Sequence, residues 1–478
     1  MNLYIFAIGG SGSRVLRSLT MLLASGVETS SNIIPIIIDP DMSNGDLDRT
    51  VNTLRKYEEI RAELAFDSSY QNKFFSTYIS SLNNDSNYLL PLIGTSGISF
   101  DKYLGLNAMS QENQALAKML FSNANLSSTM DVGFKGNPNI GSIVLNQFTQ
   151  SKDFLNFENK FVQGDKIFII SSIFGGTGAS GFPLILKTLR TSKNTAVANA
   201  PIGAVSLLPY FNLKANPQSS IQADSFITKA KAALNYYEKN VTGNATLNDM
   251  YYLGDELSSN GYKNCDGGDE QNNDAHFIEL LGALAIIDFD AKQFNSPRGN
   301  TNFHEYGLNT GQISNSILFS DISTKTNNII KRPLSMMALL NSYLNNRSKS
   351  HRTDQKWAKD RNAILGKSFF ESAFFMNYTI YKDFFEMWLT ELENNQIGFA
   401  PFNHDCDMKD SDGLAKIKNV VPHYPGFNPF RKKGYDLIDE TLGKKLDSVP
   451  ANSSAPITFM EVFHKTLSEI CSTNLNIQ

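Results

Sequence analysis

The chain has 478 residues, which is room for two or three domains. Hydrophobic residues make up 41% and charged residues 19%, a balance that supports a packed core and excludes wholesale disorder. Lys plus Arg number 43 against 47 Asp plus Glu, a formal charge of -4, so the chain lacks the electrostatic footprint of a duplex nucleic-acid binder and no nucleic-acid partner is expected.

Cys265, Cys406 and Cys471 are too scattered for a disulfide framework or a paired-cysteine metal site, and they fit a reducing, cytoplasmic setting. The apolar start "MNLYIFAIGGSGS" has no basic residues before it and reads as a core strand rather than a signal peptide. No apolar run reaches the roughly 18–20 residues of a membrane span, so no transmembrane segment is expected.

Leu3 to Ile8 reads as a first strand, followed by a turn with Gly9, Gly10, Ser11 and Gly12. The next stretch, "SRVLRSLTMLLASG", places Val15, Leu16, Leu19, Leu22 and Leu23 at helical spacing, and Gly26 ends it. "NIIPIIIDPD" reads as a second buried strand with Asp39 and Asp41 at its end, completing a strand–helix–strand unit. Residues 44–80 read as polar and helical. "KIFIISS" is a third buried strand running into Gly175, Gly176, Thr177, Gly178 and Ala179, with a helix "GFPLILKTLR" after them. "PIGAVSLLPYF" and "DMYYLGDE" read as further strands, with a long amphipathic helix, "SIQADSFITKAKAALNYYEKN", between them. "AHFIELLGALAIIDF" reads as a helix buried on more than one face. A boundary is expected near Lys292 to Asn302, then a strand "QISNSILFS", helices over about 327–346 and 356–394, and an irregular tail after Phe399.

Both glycine turns sit between the end of a strand and the start of a helix. In an open α/β sheet that edge binds ligands, and helix starts offer unpaired N–H groups to an anion. Two such turns with Asp39 on the same edge point to a di- or triphosphate. The first turn is neither a full GxGxxG fingerprint nor a lysine-bearing P-loop, which argues against a dinucleotide oxidoreductase and against a Walker-type site.

"FGGTGASGFP" resembles the tubulin/FtsZ signature GGGTGSG. Gly175, Gly176, Thr177, Gly178 and Pro183 match the FtsZ form, while Phe174 and Ser180 replace glycines. The Gly9–Gly12 turn resembles that family's N-terminal glycine loop. The resemblance covers residues 3–291 and implies an α/β fold: a Rossmann-like parallel sheet flanked by helices, then a central helix, then a smaller, largely helical α+β part. It divides the chain into a nucleotide-binding domain (1–274), a central linking helix (275–292) and a C-terminal domain (293–478). It implies GTP or GDP with Mg2+ on Gly9, Gly10, Ser11, Gly12, Asp39 and Gly175 to Ala179. "GTSG" at Gly94 to Gly97 falls where the family senses the γ-phosphate. Asp255 or Glu256 stands where a loop contacts ribose or base, and Asn272, Asn273 and Asp274 stand where the central helix meets the guanine edge, with Phe277 as the stacking residue. The same "NND" also reads as a helix cap.

The family's acidic loop, which enters the next subunit's site to position the attacking water, has no clear counterpart. Asp288 and Asp290 are the catalytic candidates, with Glu305 a further acid, and GTPase activity stays open at this point. The resemblance implies head-to-tail self-assembly into filaments; the alternative is a tubulin-like scaffold, gated by nucleotide or free of it, that recruits a protein partner through its C-terminal helices in a bacterial membrane-remodelling or defence system. "HDCD" at His404 to Asp407 reads as a polar loop rather than a metal site, the aromatic stretch Phe369 to Trp388 as core or a partner interface, and "FRKKG" as a solvated loop.

Overall fold

The computed structural model describes every residue except 42–43, 131–132, 213, 215–223, 243–244, 256–267, 269–270, 295–298, 305–315, 396–397, 404–412 and 427–430. The chain divides into two compact units. Unit 1 comprises residues 1–18, 29–52 and 79–306; unit 2 comprises 19–28, 53–78 and 307–478.

Unit 1 is built on a six-stranded sheet: β1 (Asn2–Ile8), β2 (Asn32–Ile38), β3 (Lys166–Ser172), β4 (Ile202–Leu207), β5 (Asp249–Leu253) and β6 (Asn302–His304). The strand order is β2-β1-β3-β4-β5-β6 and every pairing is parallel. Parallel strands buried on both faces read as continuous apolar runs, and every residue of β3 is buried. Beyond β2, isolated parallel bridges join Ile33 to Ile79 and Ile37 to Leu89. The expected class, a Rossmann-like parallel sheet flanked by helices with a largely helical C-terminal part, is what the structure has.

Because all strands point one way, their C-terminal ends share an edge. Gly9, Asp39, Gly175 and Asp255 all follow strand ends there. The glycines are not loops ahead of the helices: the helices Gly9–Ala24 and Gly176–Arg190 start within them. The central helix Phe277–Asp290 is buried almost all round, with Asp288 alone only half-buried.

Pro183 lies inside the signature helix, where a proline removes one backbone donor. The carbonyl that this donor would have reached is that of Ala179, and the Tyr237 hydroxyl donates to it instead at 3.3 Å. Tyr237 is itself buried, so the helix continues through the proline with its acceptor satisfied.

Three expectations differ from the structure. Helix Gly45–Ala62 stops well short of residue 80, since Phe66–Ser80 carries Asp67, Asn72 and aromatics in irregular backbone. The segment read as a helix over 356–394 is two helices, Lys356–Ala363 and Ala373–Glu393, the second opened by the Ser372 cap at Phe375 N, 3.2 Å away. The tail is not irregular throughout: Gly434–Leu446 and Ala455–Thr473 are helices, the latter capped by Ser454 with Pro456 in its first turn.

Unit 2 packs those helices with Thr324–Asn346 around an aromatic cluster. Phe459 lies 4.7 Å from Phe463 and 5.2 Å from Phe369, and Trp357 lies 5.7 Å from Phe463, ring centre to ring centre. Phe374, Phe375, Tyr378, Tyr381, Phe385 and Trp388 are buried, so the aromatic stretch is largely core. The buried Glu461 carboxylate accepts from the backbone N–H of Gln71 at 2.9 Å and of Asn72 at 2.7 Å. Among the described residues no helix is long and apolar enough to cross a membrane.

Candidate functional site

The two glycine turns touch. Gly9 has a φ of +73°, a left-handed conformation that favours glycine, and a Cβ built there would stand 3.3 Å from Thr177 Cβ. Gly12 lets its helix lie on the sheet: a Cβ there would meet the Ala7 carbonyl carbon at 2.8 Å. Gly10 is different. It is half-buried, and the nearest atoms to an added Cβ are side-chain amides, Asn44 Nδ2 at 3.8 Å and Gln271 Nε2 at 4.0 Å. The space beside Gly10 and Ser11 is therefore the accessible part of the first turn.

The second turn is packed more tightly. A Cβ on Gly178 would lie 2.6 Å from Ser172 O and 2.7 Å from Ser172 N, and one on Gly176 only 2.3 Å from Gly133 O. Gly176 thus meets the chain's own segment Gly133–Asn137. Gly175, the N-cap, supplies no side chain to the first amides of the helix. Phe174, where the family has glycine, joins a ring cluster with Phe226 at 5.1 Å, Phe211 at 5.5 Å and Tyr210 at 6.1 Å. Ser180 donates back to Gly176 O at 2.6 Å.

Asp39 ends β2 and is buried, and burial pushes its carboxyl up to about 7 despite the hydrogen bond it accepts from Asp41 N at 3.0 Å; nearby Asp41 and Asp46 add to the rise. The folded value lies above the unfolded one, so Asp39's contribution to stability is present in full below about pH 4 and is lost as pH rises to about 7. Replacing Asp39 by Asn should remove that slope. Relative to wild type, urea denaturation should show the variant gaining up to roughly 4 kcal/mol between pH 4 and pH 8. An unchanged pH profile would place the proton elsewhere.

A segment before the central helix crosses onto the loop after β2. Gly268 N donates to Asp41 Oδ2 at 2.8 Å, Gly45 N donates to Gly268 O at 3.2 Å, and Asn44 Nδ2 donates to Gln271 Oε1 at 2.7 Å. Further on, Asn273 N donates to Asp46 Oδ1 at 3.2 Å and Asn273 Nδ2 to Asp46 Oδ2 at 3.3 Å, while Arg49 donates to Asn273 O at 2.6 Å.

Arg14, from the first glycine helix, closes this network. Its Nη2 lies 2.6 Å from Glu279 Oε1 and donates to Asp274 O at 2.6 Å, with Nη1 3.9 Å from Asp46 Oδ2. Glu279 also accepts from Tyr210 OH at 2.8 Å and from His276 N at 3.0 Å. Burial raises the Glu279 carboxyl, with Arg14 opposing the rise. Burial also pushes His276 down to about 3; its neutral Nδ1 accepts from Ile278 N at 3.1 Å and caps the helix. Arg14, Asp46, Arg49, Tyr210, His276 and Glu279 were not singled out from the sequence. The "HFIE" spacing, a cap residue followed three positions on by glutamate, is a signal from which two of them could be found.

Of the other expected site residues, Asn272 and Asp255 are exposed, Asn273 is half-buried, and Phe277 is buried as the first residue of its helix. Gly94 and Gly97 lie in an open loop with φ of +71° and +66°. Glu256, Glu305 and His404 to Asp407 lie outside the described residues.

Asp288 and Asp290 end the central helix, whose 14 residues span about 20 Å. That end meets the opposite edge of the sheet: Lys166, the first residue of β3, donates to Asp290 O at 2.5 Å. Asp290 is buried and accepts from Ser30 N at 2.6 Å and Ser31 N at 3.1 Å. Asp288 accepts from Tyr251 OH at 2.8 Å and pairs with Lys292 at 2.9 Å. The structure therefore brings the glycine turns, Asp39 and Asn273 to one edge and holds the two acids at the other.

No protein-family model matches the chain, and neither does any curated protein. Among solved structures it is similar to CetZ from Methanosaeta thermophila strain DSM 6194, at 15% identity over 53% of this chain and 46% of that one, with a TM-score of 0.28. It is also similar to CetZ2 from Haloferax volcanii, solved as a GTPγS-bound protofilament, at 12% identity over 62% of this chain and 61% of that one, with a TM-score of 0.29. The chain thus spans about half the length of the first and about three fifths of the second.

Proposed function

We propose that this chain is a tubulin/FtsZ-like protein that binds a guanine nucleotide on the edge carrying the two glycine turns and assembles head to tail. The observation that carries the reading is the direct contact of those turns, Gly9 against Thr177, with backbone amides of two helix starts on one sheet edge. Gly9 to Gly12 and Gly175 to Ala179 would hold the phosphates through backbone N–H groups, and Asp39 and Asp255 would stand toward metal and sugar. Among the described residues no group of three or more His, Cys, Asp or Glu side chains is placed to hold a metal ion. Mg2+ would instead arrive on the nucleotide's own phosphates, offsetting charge that backbone dipoles leave uncompensated. Nucleotide at one edge and the central helix's acidic end at the other would let a second copy complete the site, a heterologous contact that propagates.

The test is chemical. Freshly purified protein is denatured and the released small molecules are separated by ion exchange; then binding of added GTP with Mg2+ is measured for wild type and Gly10→Ala. Guanine nucleotide on the wild type, and an affinity at least about tenfold weaker in a normally folded Gly10→Ala, is the expected result. Wild type that neither carries nor takes up nucleotide would sink the reading.

Asp290 favours a second reading in one respect. Its Oδ2 is committed to two backbone amides of its own chain, so of the two acids Asp288 is the one left for hydrolysis at a subunit contact. A scaffold that is gated by nucleotide, or does without it, fits that commitment; GTP-dependent phosphate release that vanishes in Asp288→Asn would count against it.

A further inference from the structure

We infer that Asp46 determines the base preference of this site by fixing which way the Asn273 carboxamide points; the inference rests on the nucleotide reading above.

An asparagine amide carries a donor end and an acceptor end, and which of them faces a ligand decides what it can recognise. Here the choice is made by a buried carboxylate. A carboxylate accepts and does not donate, so the nitrogen end of Asn273 faces Asp46, at 3.3 Å. The backbone is held as well: Asn273 N donates to the other Asp46 oxygen at 3.2 Å and Arg49 donates to Asn273 O at 2.6 Å. Asp46 cannot swing away. Its side chain is 1% exposed, Arg49 pairs with it, and Arg14 stands 3.9 Å off. Asn273 Oδ1 accepts no hydrogen bond from the described residues, and the residue is half-buried rather than enclosed.

The oxygen is therefore presented as a fixed acceptor. It lies on the segment whose Gln271 is bonded to Asn44 beside Gly10 of the first turn. A fixed acceptor selects a base edge that offers N–H donors, such as guanine N1–H and N2–H, and disfavours a purine with none. Asp46 touches no ligand in this arrangement; it is a positioning residue.

The experiment compares the affinities of the folded protein for GTP and for purine riboside triphosphate, each with Mg2+. The second has the same ring, sugar and phosphates but no N–H donors on its six-membered ring. Wild type should prefer GTP about tenfold. In Asp46→Asn the amide at 46 can donate to Oδ1, the carboxamide can turn, and the ratio should fall to within about threefold of unity. The reciprocal swap, Asp46→Asn with Asn273→Asp, restores an outward acceptor and should restore the preference, a rescue that a merely structural role would not give. Should Asp46→Asn not fold alone, the swap and Asn273→Ala carry the test: the preference is kept in the first and lost in the second. A wild-type ratio that survives Asp46→Asn, or a swap that fails to restore it, overturns the assignment while leaving nucleotide binding intact. A wild type that binds neither triphosphate overturns the nucleotide reading itself.

Discussion

Gly178→Ala should destabilise the protein by about 3 kcal/mol, measured by urea denaturation. The added methyl would sit 2.6 Å from Ser172 O and 2.7 Å from Ser172 N, and neither is the end of a flexible side chain. Ser172 is the last residue of β3, hydrogen-bonded into the middle of the sheet, so the helix rather than the strand must move. Displacing the helix start would spoil any anion contact it makes, which means that loss of nucleotide in this variant would say little about phosphate contacts. Gly10→Ala is the cleaner probe, since its methyl meets only side-chain amides at 3.8 and 4.0 Å. A Gly178→Ala protein as stable as wild type would show that the helix start and β3 do not approach this closely.

Arg14→Met carries the second large expected effect, a loss of roughly 3–5 kcal/mol, because it strands the buried Glu279 carboxylate without its cation. Both side chains are almost fully buried, at 6% and 1% exposed, so water cannot take over. The double variant Arg14→Met/Glu279→Gln should recover at least half of that loss. Glutamine's single oxygen can still accept from His276 N, and its amide N–H can donate to the Tyr210 hydroxyl oxygen, which both donates and accepts; the side chain carries no charge, and Asp46 retains Arg49. Equal destabilisation by the single and double variants would show that the pair's charge is not what matters; a single variant costing under about 1 kcal/mol would remove the network from any account of this edge.

The parts legible in the sequence are those set by local pattern. Residues 3–8, 33–38 and 167–170 are near-continuous apolar runs, and they form β1, the border strand β2 and the central strand β3. Their parallel pairing then places both glycine turns and Asp39 on one edge. The Arg14–Asp46–Glu279 network was not legible, because its members are separated by 32 and 233 positions and come together only through the sheet. Nothing local marks Arg14 as different from Arg17, three residues on. Phe174 was visible as a departure from the glycine signature, yet its reason, a ring cluster with Phe211 and Phe226, depends on segments after β4. The helix Ala455–Thr473 is announced by Ser454 and Pro456, but the Pro- and Gly-rich stretch before it dominates the composition of that region and hides the signal.

The two borders of the sheet have a consequence for how copies of this chain can meet. An exposed strand border is a template on which another molecule can add a strand, and such growth is indiscriminate. On the β2 side, the border is covered by residues 79 and 89 through their isolated bridges. On the other side, β6 is only three residues long, and its last residue, His304, is tied to Asp249 and Lys292. Among the described residues, neither border offers a long run of open amides and carbonyls for a neighbour to zip onto. Sideways aggregation through the sheet is thereby discouraged at both flanks.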